Sequence, residues 1–585
     1  MRPARELLLQ LSVGQTATAL ATNGQQAMWN AIEWMGGDHS YFNMVWTVAV
    51  PKGRTLDDVC VALGRTVERY ATLRTTYTRT AEELLQVVES EGVLKVSFYD
   101  GTQSDLDHRQ KQVATYLGRL NFDSATEWPL RVAVLAQDGA PISLVLVINH
   151  MALDLYGWRV VEETLTGFLA DPAAAPPPRE GWEPLDQAAF ESSPDGRAMN
   201  NAALCRLRDL LYAAPPSLFD FVPAREEANR FWTLQLESRA LATALPRVAQ
   251  RVRASSSAVL LTVMSEVFGV YSGHREALVQ ILVSNRLIED SARMAGYLCW
   301  DSPIHVDLRG LSFDAAVQRV FSAALEAYQH GLYRPSEARA VRAEVEHARG
   351  AAMDLGCHFN DRRERTGSIS VPTREPRMDP GMLREQSRIL FLDSHPRVDT
   401  RFHLHAMDEL PGSVELELTC DTRYVPVRAM CEILWAIEAL AVAAADRDLT
   451  PDEIISTVDV IPASRGTAWV RRGRGWTDLA AVRQLWVDLV GEEGMVFTER
   501  GPNGHHRLIA YHATGSDSPN LHRAFLNLIG ERTDVQTPDI YHSCQAAPED
   551  PHDEAAWRLI PILSSGTGRI GNEEFMLRTP SDPSD

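Results

Sequence analysis

Lysine is nearly missing from this chain. Of 585 residues only Lys52, Lys95 and Lys111 are lysines, so arginine carries almost all the positive charge, a bias that reads most simply as the composition of a GC-rich genome. Positive charge is also in deficit. Lys and Arg number 57 against 78 Asp and Glu, and the formal net charge of −21 argues against non-specific nucleic-acid binding, which needs a basic field. No nucleic-acid partner is expected. Cysteine is sparse as well. The seven residues (60, 205, 299, 357, 420, 431 and 544) show no CxxC or other metal spacing, so neither a disulfide framework nor a metal site is expected, and the odd count reads as reduced thiols. Long apolar runs are missing too: no window approaches about 18 continuous apolar residues, so no membrane span is expected. The N-terminal "MRPARELLLQLSVGQ" has a short apolar run, but polar residues follow in place of a full h-region and cleavage site. The protein is therefore expected in the cytoplasm. Long disordered stretches are also absent, because the 45% hydrophobic and 23% charged fractions are those of a globular protein; only the tail Thr579 to Asp585 is wholly polar.

What is present reads as α/β. The length predicts two to four domains. "FNMVWTVAV" (42–50) is rich in β-branched and aromatic residues and predicts a strand. "TLDDVCVALGRTVERYATLRTTY" (55–77) carries Leu56, Val59, Leu63 and Val67 at helical spacing, with Asp57 and Asp58 in the first turn. Further strands are predicted over 84–88, 131–136 and 143–148, the last, "SLVLVI", being the continuous apolar run of a strand buried on both faces. The Pro/Ala-rich "ADPAAAPPPREGWEP" (170–184) reads as a linker or crossing loop. A second segment repeats the mixture, with a buried helix over 255–273, a strand over 276–286, an amphipathic helix over 313–331, strands over 353–361, 401–409 and 413–421, and a closing helix over 426–445. After Pro462 the Arg/Gly-rich "SRGTAWVRRGRGW" (464–476) reads as an exposed connector, and 477–585 as a small third domain.

The candidate chemistry sits in "SLVLVINHMALDLYGWRVVEETL" (143–165), where a buried strand ends in Asn149 and His150, and a helix opens near Gly157. A neutral imidazole there can accept a proton from an attacking amine or hydroxyl. Backbone N–H groups of the new helix point outward and can stabilise an oxyanion. Asp154 is poorly placed as a second proton carrier if it is buried, and a buried carboxylate demands a cation. Arg286, at the end of the strand 276–286, is the candidate partner. By itself a His-x3-Asp spacing is common, and it more often marks a satisfied core histidine with an N-cap aspartate.

The surroundings change that reading. "NHMALDLYGW" resembles the HHxxxDG active-site motif of the condensation domains of nonribosomal peptide synthetases, and resembles more closely an HxxxDxxG variant of free-standing members. "GQQAMWNAIEWMGGDHSYFNMVWTVAV" (24–50) is similar to the family's opening motif, with Gln25, Gln26 and Trp29 in order. "ERYATLRTTY" (68–77) resembles its RHxxLRTxF block, and "VSNRLIEDSARMAGYLCWDSPIHVDL" (283–308) places Arg286 at the arginine of a further block. "AYQHGLYRP" (327–335) and the strands to Asp421 continue the match, which covers about residues 15 to 460.

The resemblance implies a chloramphenicol-acetyltransferase-like fold of two α/β lobes forming a V with a central tunnel. It places an N-terminal lobe at 1–180, a C-terminal lobe at 181–463, a linker at 464–476 and a small α/β domain at 477–585. It implies an acyltransferase that forms an amide between an acyl or aminoacyl thioester and an amine in nonribosomal peptide biosynthesis. The thioester would hang on the phosphopantetheine arm of a partner carrier protein. No "GGxS"-type attachment stretch occurs, so acyl or peptidyl carrier proteins would act in trans, with a free or carrier-bound amine as acceptor, and no other cofactor is implied. His150 takes the place of the catalytic histidine, and Asp154 that of the structural aspartate paired with Arg286. Gly157 takes the motif glycine's role, while Leu155, Tyr156, Trp158 and Trp300 fall where the tunnel would be lined. Three positions depart from the pattern. Asn149 replaces the first histidine, Leu155 the glycine after the aspartate, and "LCWD" (298–301) the FVNT segment. The alternatives are ester formation, transfer from coenzyme A, or a non-catalytic scaffold whose site has begun to decay at Asn149.

The C-terminal stretches "HRLIAYHATGSD" (506–517), "TPDIYHSCQAAP" (537–548) and "PILSSGTGRI" (561–570) resemble the small C-terminal subdomain of adenylation domains. The lysine that family carries after "SG" is Thr567 here, so a vestigial scaffold or docking surface is implied. "GTGRIG" (566–571) matches GxGxxG, but too little chain follows for a βαβ unit. His505 with His506, and His403 with His405, lack a third ligand at metal spacing. Arg471, Arg472 and Arg474 read as a soluble linker that could meet an acidic carrier protein.

Overall fold

Both faces of the strand that ends in Asn149 are covered, which is why its sequence is apolar without alternation. In the computed structural model, residues 3–81, 83–101, 106–176, 178, 181–363, 379–501 and 504–569 are described. The tail from Thr579, residues 570–571 of "GTGRIG" and part of the Pro-rich 170–184 stretch lie outside them. Strand Ala140–Asn149 lies in a five-stranded mixed sheet, between Leu130–Gln137 and Asn43–Ala49, with Glu91–Gly101 and Arg5–Ser12 beyond. Leu144, Leu146 and Ile148 point into a core shared with Val59, Leu63 and Val67 of helix Leu56–Arg69 and Val161, Leu165 and Phe168 of helix Leu155–Ala170. Val145 and Val147 point the other way, onto Val113 and Leu117 of helix Leu106–Gly118. Each buried Leu, Val or Phe contributes about 1.5–3 kcal/mol, so this strand is firmly anchored where it meets the candidate histidine.

The chain divides into two compact units. The first holds residues 1–203 with 283–301 and 328–335; the second holds 204–282, 302–327 and 336–585. Besides the five-stranded sheet, the first unit has a three-stranded one, ordered Ala17–Leu20, Leu84–Val88, Thr75–Arg79. Apolar spacing alone predicts that the second helix continues to residue 77. The helix stops at Arg69, a short 3-10 turn follows over Ala71–Arg74, and Thr75–Arg79 is a strand. The β-branched Thr75 and Thr76 favour the pleated backbone there.

The second unit is built on a seven-stranded sheet ordered Trp300–Asp307, Glu276–Val283, Cys357–Asp361, Phe402–Met407, Val414–Asp421, Phe231–Ser238, Arg388–His395. Helices Ser256–Ser272 and Val427–Ala443 supply its buried apolar faces. In the same unit, residues from 469 onward form a hairpin (Trp469–Arg472 with Gly475–Asp478) and a four-stranded sheet (Gly494–Arg500, His506–His512, Ile540–Cys544, Ile562–Gly566) packed on helices Leu479–Val490 and Ser518–Ile529. Within the stretch read as an exposed connector, Arg472 is buried and its Nη2 lies 2.7 Å from an Asp539 carboxylate oxygen. The strand alternation turns Arg472 inward while Arg471 stays exposed. Among the described residues no single helix is long and apolar enough to cross a membrane.

Candidate active site

His150 follows directly on the buried strand, so its backbone is fixed while its ring is only half-buried. Its Nδ1 lies 2.7 Å from the carbonyl oxygen of Leu153. A carbonyl only accepts, so Nδ1 carries a proton, and in the neutral form of the ring the lone pair lies on Nε2. The ring of Tyr297 meets the imidazole edge-on, with centroids 5.0 Å apart.

The turn that presents the histidine is held from every side. Asn149 is buried; its Oδ1 accepts from the Met151 N–H at 2.9 Å, and its Nδ2 reaches Ser124 Oγ at 3.3 Å. Thr72 Oγ1 donates to the Ala152 carbonyl at 2.7 Å, and Tyr77 Oη donates to the Met151 carbonyl at 3.0 Å. Gln25 Nε2 donates to Tyr77 Oη at 3.1 Å, while Gln25 Oε1 accepts from the Thr22 N–H as half of a capping box on helix Asn23–Met35. The opening motif therefore sits beneath the turn as a buried polar network. Such a network is rigid when each member is satisfied.

Asp154 caps the following helix and clasps a distant segment. Its Oδ1 accepts from Gly157 N–H at 2.8 Å; its Oδ2 accepts from Arg286 Nη1 at 2.7 Å, Leu298 N–H at 2.9 Å and Cys299 N–H at 3.3 Å. The carboxylate is 2% exposed and the Arg286 side chain 6%. Burial pushes the Asp154 carboxyl up, but the Arg286 guanidinium and the backbone donors outweigh it and hold it below the usual range. Arg286 lies beyond the strand, which ends at Val283, and follows Asn285 in the left-handed region at φ 53°. Its Nη2 donates to the carbonyls of Gly296 at 3.1 Å and Met294 at 3.3 Å. Residues 286 to 299 are thus folded around one ion pair at the start of helix Leu155–Ala170. Gly157 is required by that approach, because a Cβ there would lie 2.5 Å from the Gly296 carbonyl oxygen. Cys299 is buried beside Asp154, and burial followed by that negative charge drives its thiol well above its ordinary value, so it is no nucleophile.

The remaining expected site residues separate. Tyr156 is exposed, with the Arg286 guanidinium carbon 5.5 Å from its ring centre, and Leu155 is half-buried. Trp300 is half-buried and meets Tyr333 edge-on at 5.6 Å. Trp158 departs from the expectation. It is 1% exposed and stacks on Trp46 at 5.0 Å within the core, so it has no surface to offer a tunnel. Helical spacing turns position 158 toward the sheet and position 156 away from it. Two of the outward N–H groups at the helix start are committed, Gly157 to the Asp154 side chain and Trp158 to the Asp154 carbonyl; those of Leu155 and Tyr156 have no acceptor among the described residues. The sequence pattern does not single out Tyr77 or Tyr297. Both lie inside the matched blocks, and the aromatic directly after Gly296 is the one available signal.

No family model matches the chain. Chondramide synthase cmdD of Chondromyces crocatus is 25% identical over 322 residues, which is 53% of this chain and 8% of that protein. A linear gramicidin synthase polypeptide of Brevibacillus parabrevis is 25% identical over 191 residues, 31% of this chain and 4% of that protein. The chain thus spans less than a tenth of either relative's length. Among solved structures, the condensation domain of the monacolin K polyketide synthase MokA superposes with TM-score 0.58 at 13% identity, covering 75% of this chain and all of that one. The SgcC5 protein of Streptomyces globisporus gives 0.56 at 16% identity over 73% of this chain and 99% of its own. The X-domain solved in complex with OxyB from teicoplanin biosynthesis gives 0.56 at 17% identity over 79% of this chain and 99% of that one. The fold is that of the condensation domains of nonribosomal peptide and polyketide synthesis.

Proposed function

We propose that the chain is a condensation enzyme that forms an amide between a carrier-bound acyl or aminoacyl thioester and an amine, in nonribosomal peptide biosynthesis. The observation that carries this is the 2.7 Å bond from His150 Nδ1 to the Leu153 carbonyl, which leaves Nε2 as the basic nitrogen of a ring held on a rigid turn. The acceptor amine would attack the thioester carbonyl carbon while Nε2 takes its proton. The C–S bond then breaks, and the proton passes to the departing thiolate of the phosphopantetheine arm. A positioned general base of this kind contributes roughly 10²–10⁴-fold to rate. Asp154 and Arg286 do not touch the reacting atoms in this scheme; they hold the turn and helix start in register. Asn149 keeps the backbone bond to Met151 N–H, so replacement of the motif's first histidine leaves the turn intact. Leu155, Tyr156 and Trp300 remain the residues proposed to shape the substrate path, with Trp158 removed from it. Carrier proteins act in trans, and residues 477–585 serve as a scaffold related to an adenylation subdomain.

The test is reconstitution with acyl-loaded carrier proteins and a panel of amine acceptors, read by product mass. An amide that depends on His150 supports the assignment. If every donor–acceptor pair fails while the protein still binds loaded carrier, the protein is a binding scaffold instead.

A further inference from the structure

In a chain of net charge −21, one cavity of about 660 Å³ in the second unit gathers the opposite sign. Six arginines and two histidines line it against only three carboxylates. The two best-placed carboxylates are already committed. Glu344 accepts from Arg208 Nε and Nη2 at 3.2 and 3.0 Å, and Asp539 is shared between Arg472 at 2.7 Å and Arg569 at 3.3 Å. Arg349 makes no ion pair among the described residues. There its Nη1 donates to the carbonyls of Leu211 and Ala214 and lies against the Met353 sulfur. Burial, aided by the nearby Arg474 and Arg569, pulls Arg349 down to about 10. Arg507 makes no ion pair among the described residues, and Arg569 Nε, His505 Nδ1 and His506 Nδ1 have no hydrogen-bond partner among them. This crowding is built into the backbone. Gly350, at φ 66°, ends the helix that carries Arg349, and its carbonyl accepts from the Thr537 N–H at 2.7 Å, bringing Asp539 and Arg569 alongside.

Crowded, partly desolvated cations without counter-charge are costly, and an anion relieves them. Guanidinium forks match the oxygens of a phosphate in paired hydrogen bonds, as they do those of a carboxylate, and the larger charge of a phosphate suits several cations at once. Tyr212, Pro216 and Ala348 give the same cavity an apolar wall, and its volume is that of a small-molecule site rather than of a protein docking surface. We infer that this cavity binds a phosphate-bearing small molecule, its phosphoryl oxygens held among Arg349, Arg507 and Arg569, in a site separate from His150 and independent of the amide-forming reaction.

Isothermal titration of the full chain with ATP, inorganic pyrophosphate and inorganic phosphate, at constant ionic strength, tests this. Saturable binding of ATP or pyrophosphate is expected. Tighter binding of ATP than of pyrophosphate identifies an organic phosphate that uses the apolar wall, and equal binding identifies the phosphates alone. Arg507→Ala, at an exposed position outside every ion pair among the described residues, should keep the melting temperature and weaken binding by about tenfold or more. Arg349→Gln should do the same; where it fails to fold, Arg507→Ala decides. Absence of saturable binding by all three probes at millimolar concentration overturns the inference. So does affinity unchanged in Arg507→Ala, or loss in that variant of binding to an acidic carrier protein but not to any phosphate.

Discussion

Asp154→Asn isolates the clasp at the candidate site with the smallest change of shape. In the native protein the two carboxylate oxygens accept four bonds, one on Oδ1 from Gly157 and three on Oδ2 from Arg286, Leu298 and Cys299. An asparagine amide has one acceptor oxygen. If that oxygen keeps the Gly157 N–H, the NH2 group faces a guanidinium and two backbone N–H groups, donor against donors. Arg286 is then left charged and buried. Removing one member of a buried ion pair costs about 3–5 kcal/mol. A domain of 150–250 residues loses roughly 2–4 °C of melting temperature per kcal/mol, so a drop of about 10 °C is expected. Thermal unfolding followed by tryptophan fluorescence reads the loss, and Trp46 and Trp158, stacked in the core of this unit, contribute to the signal. Adding Arg286→Met should recover roughly 0.5–3 kcal/mol, since it removes the stranded charge. The acid limb carries the same signature. Asp154 is held below its ordinary value when folded, so the unfolded chain protonates first; the stability it supplies is complete above about pH 4 and is lost as pH falls through the folded value. The Asn variant should therefore lose less stability than the native protein on acidification. A melting temperature within a degree of native, or a double variant whose losses simply add, would refute the clasp.

The other expectations concern neighbouring residues. Gly157→Ala places a methyl 2.5 Å from the Gly296 carbonyl oxygen, so it should cost about 1–3 kcal/mol by denaturant titration even though alanine is the better helix former. Tyr77→Phe strips the donor from the Met151 carbonyl and the acceptor from Gln25, and a loss of about 1–3 kcal/mol is expected in the same assay. Glu191 is buried beneath helix Asn23–Met35, where its Oε2 accepts from the Asn23 N–H, and burial lifts its carboxyl to about 7. A raised folded value means stability present below the unfolded value near 4.3 and lost as pH rises toward 7. Glu191→Gln should flatten that decline in a melting-temperature series from pH 5 to pH 8.

The α/β class and the place of the site were legible because two local signals agreed with the packing. The run Ser143 to Ile148 is apolar on both sides since helices cover both faces of its sheet. Asp154 demanded a cation once burial was assumed, and Arg286, 132 residues away, lies 2.7 Å from it. What could not be read depends on which face a residue meets. Trp158 and Tyr156 share a helix and an aromatic character, but only the sheet decides that one fills the core and the other meets solvent. Thr75 to Tyr77 end a segment whose apolar spacing from Leu56 to Val67 is helical, while pairing with Leu84–Val88 makes them a strand. Arg472 looks like a connector residue because its partner, Asp539, belongs to a loop far along the chain.

In the proposed reaction His150 serves the bond-forming step as base while Asp154 only holds the frame. Product mass with an acyl-loaded carrier protein and a reactive amine, compared between native protein and His150→Ala, tests it most directly. The amide should form with the native protein and fall by about 10²-fold or more in the variant, whose melting temperature should match the native one. Undiminished amide formation by His150→Ala would contradict the assignment.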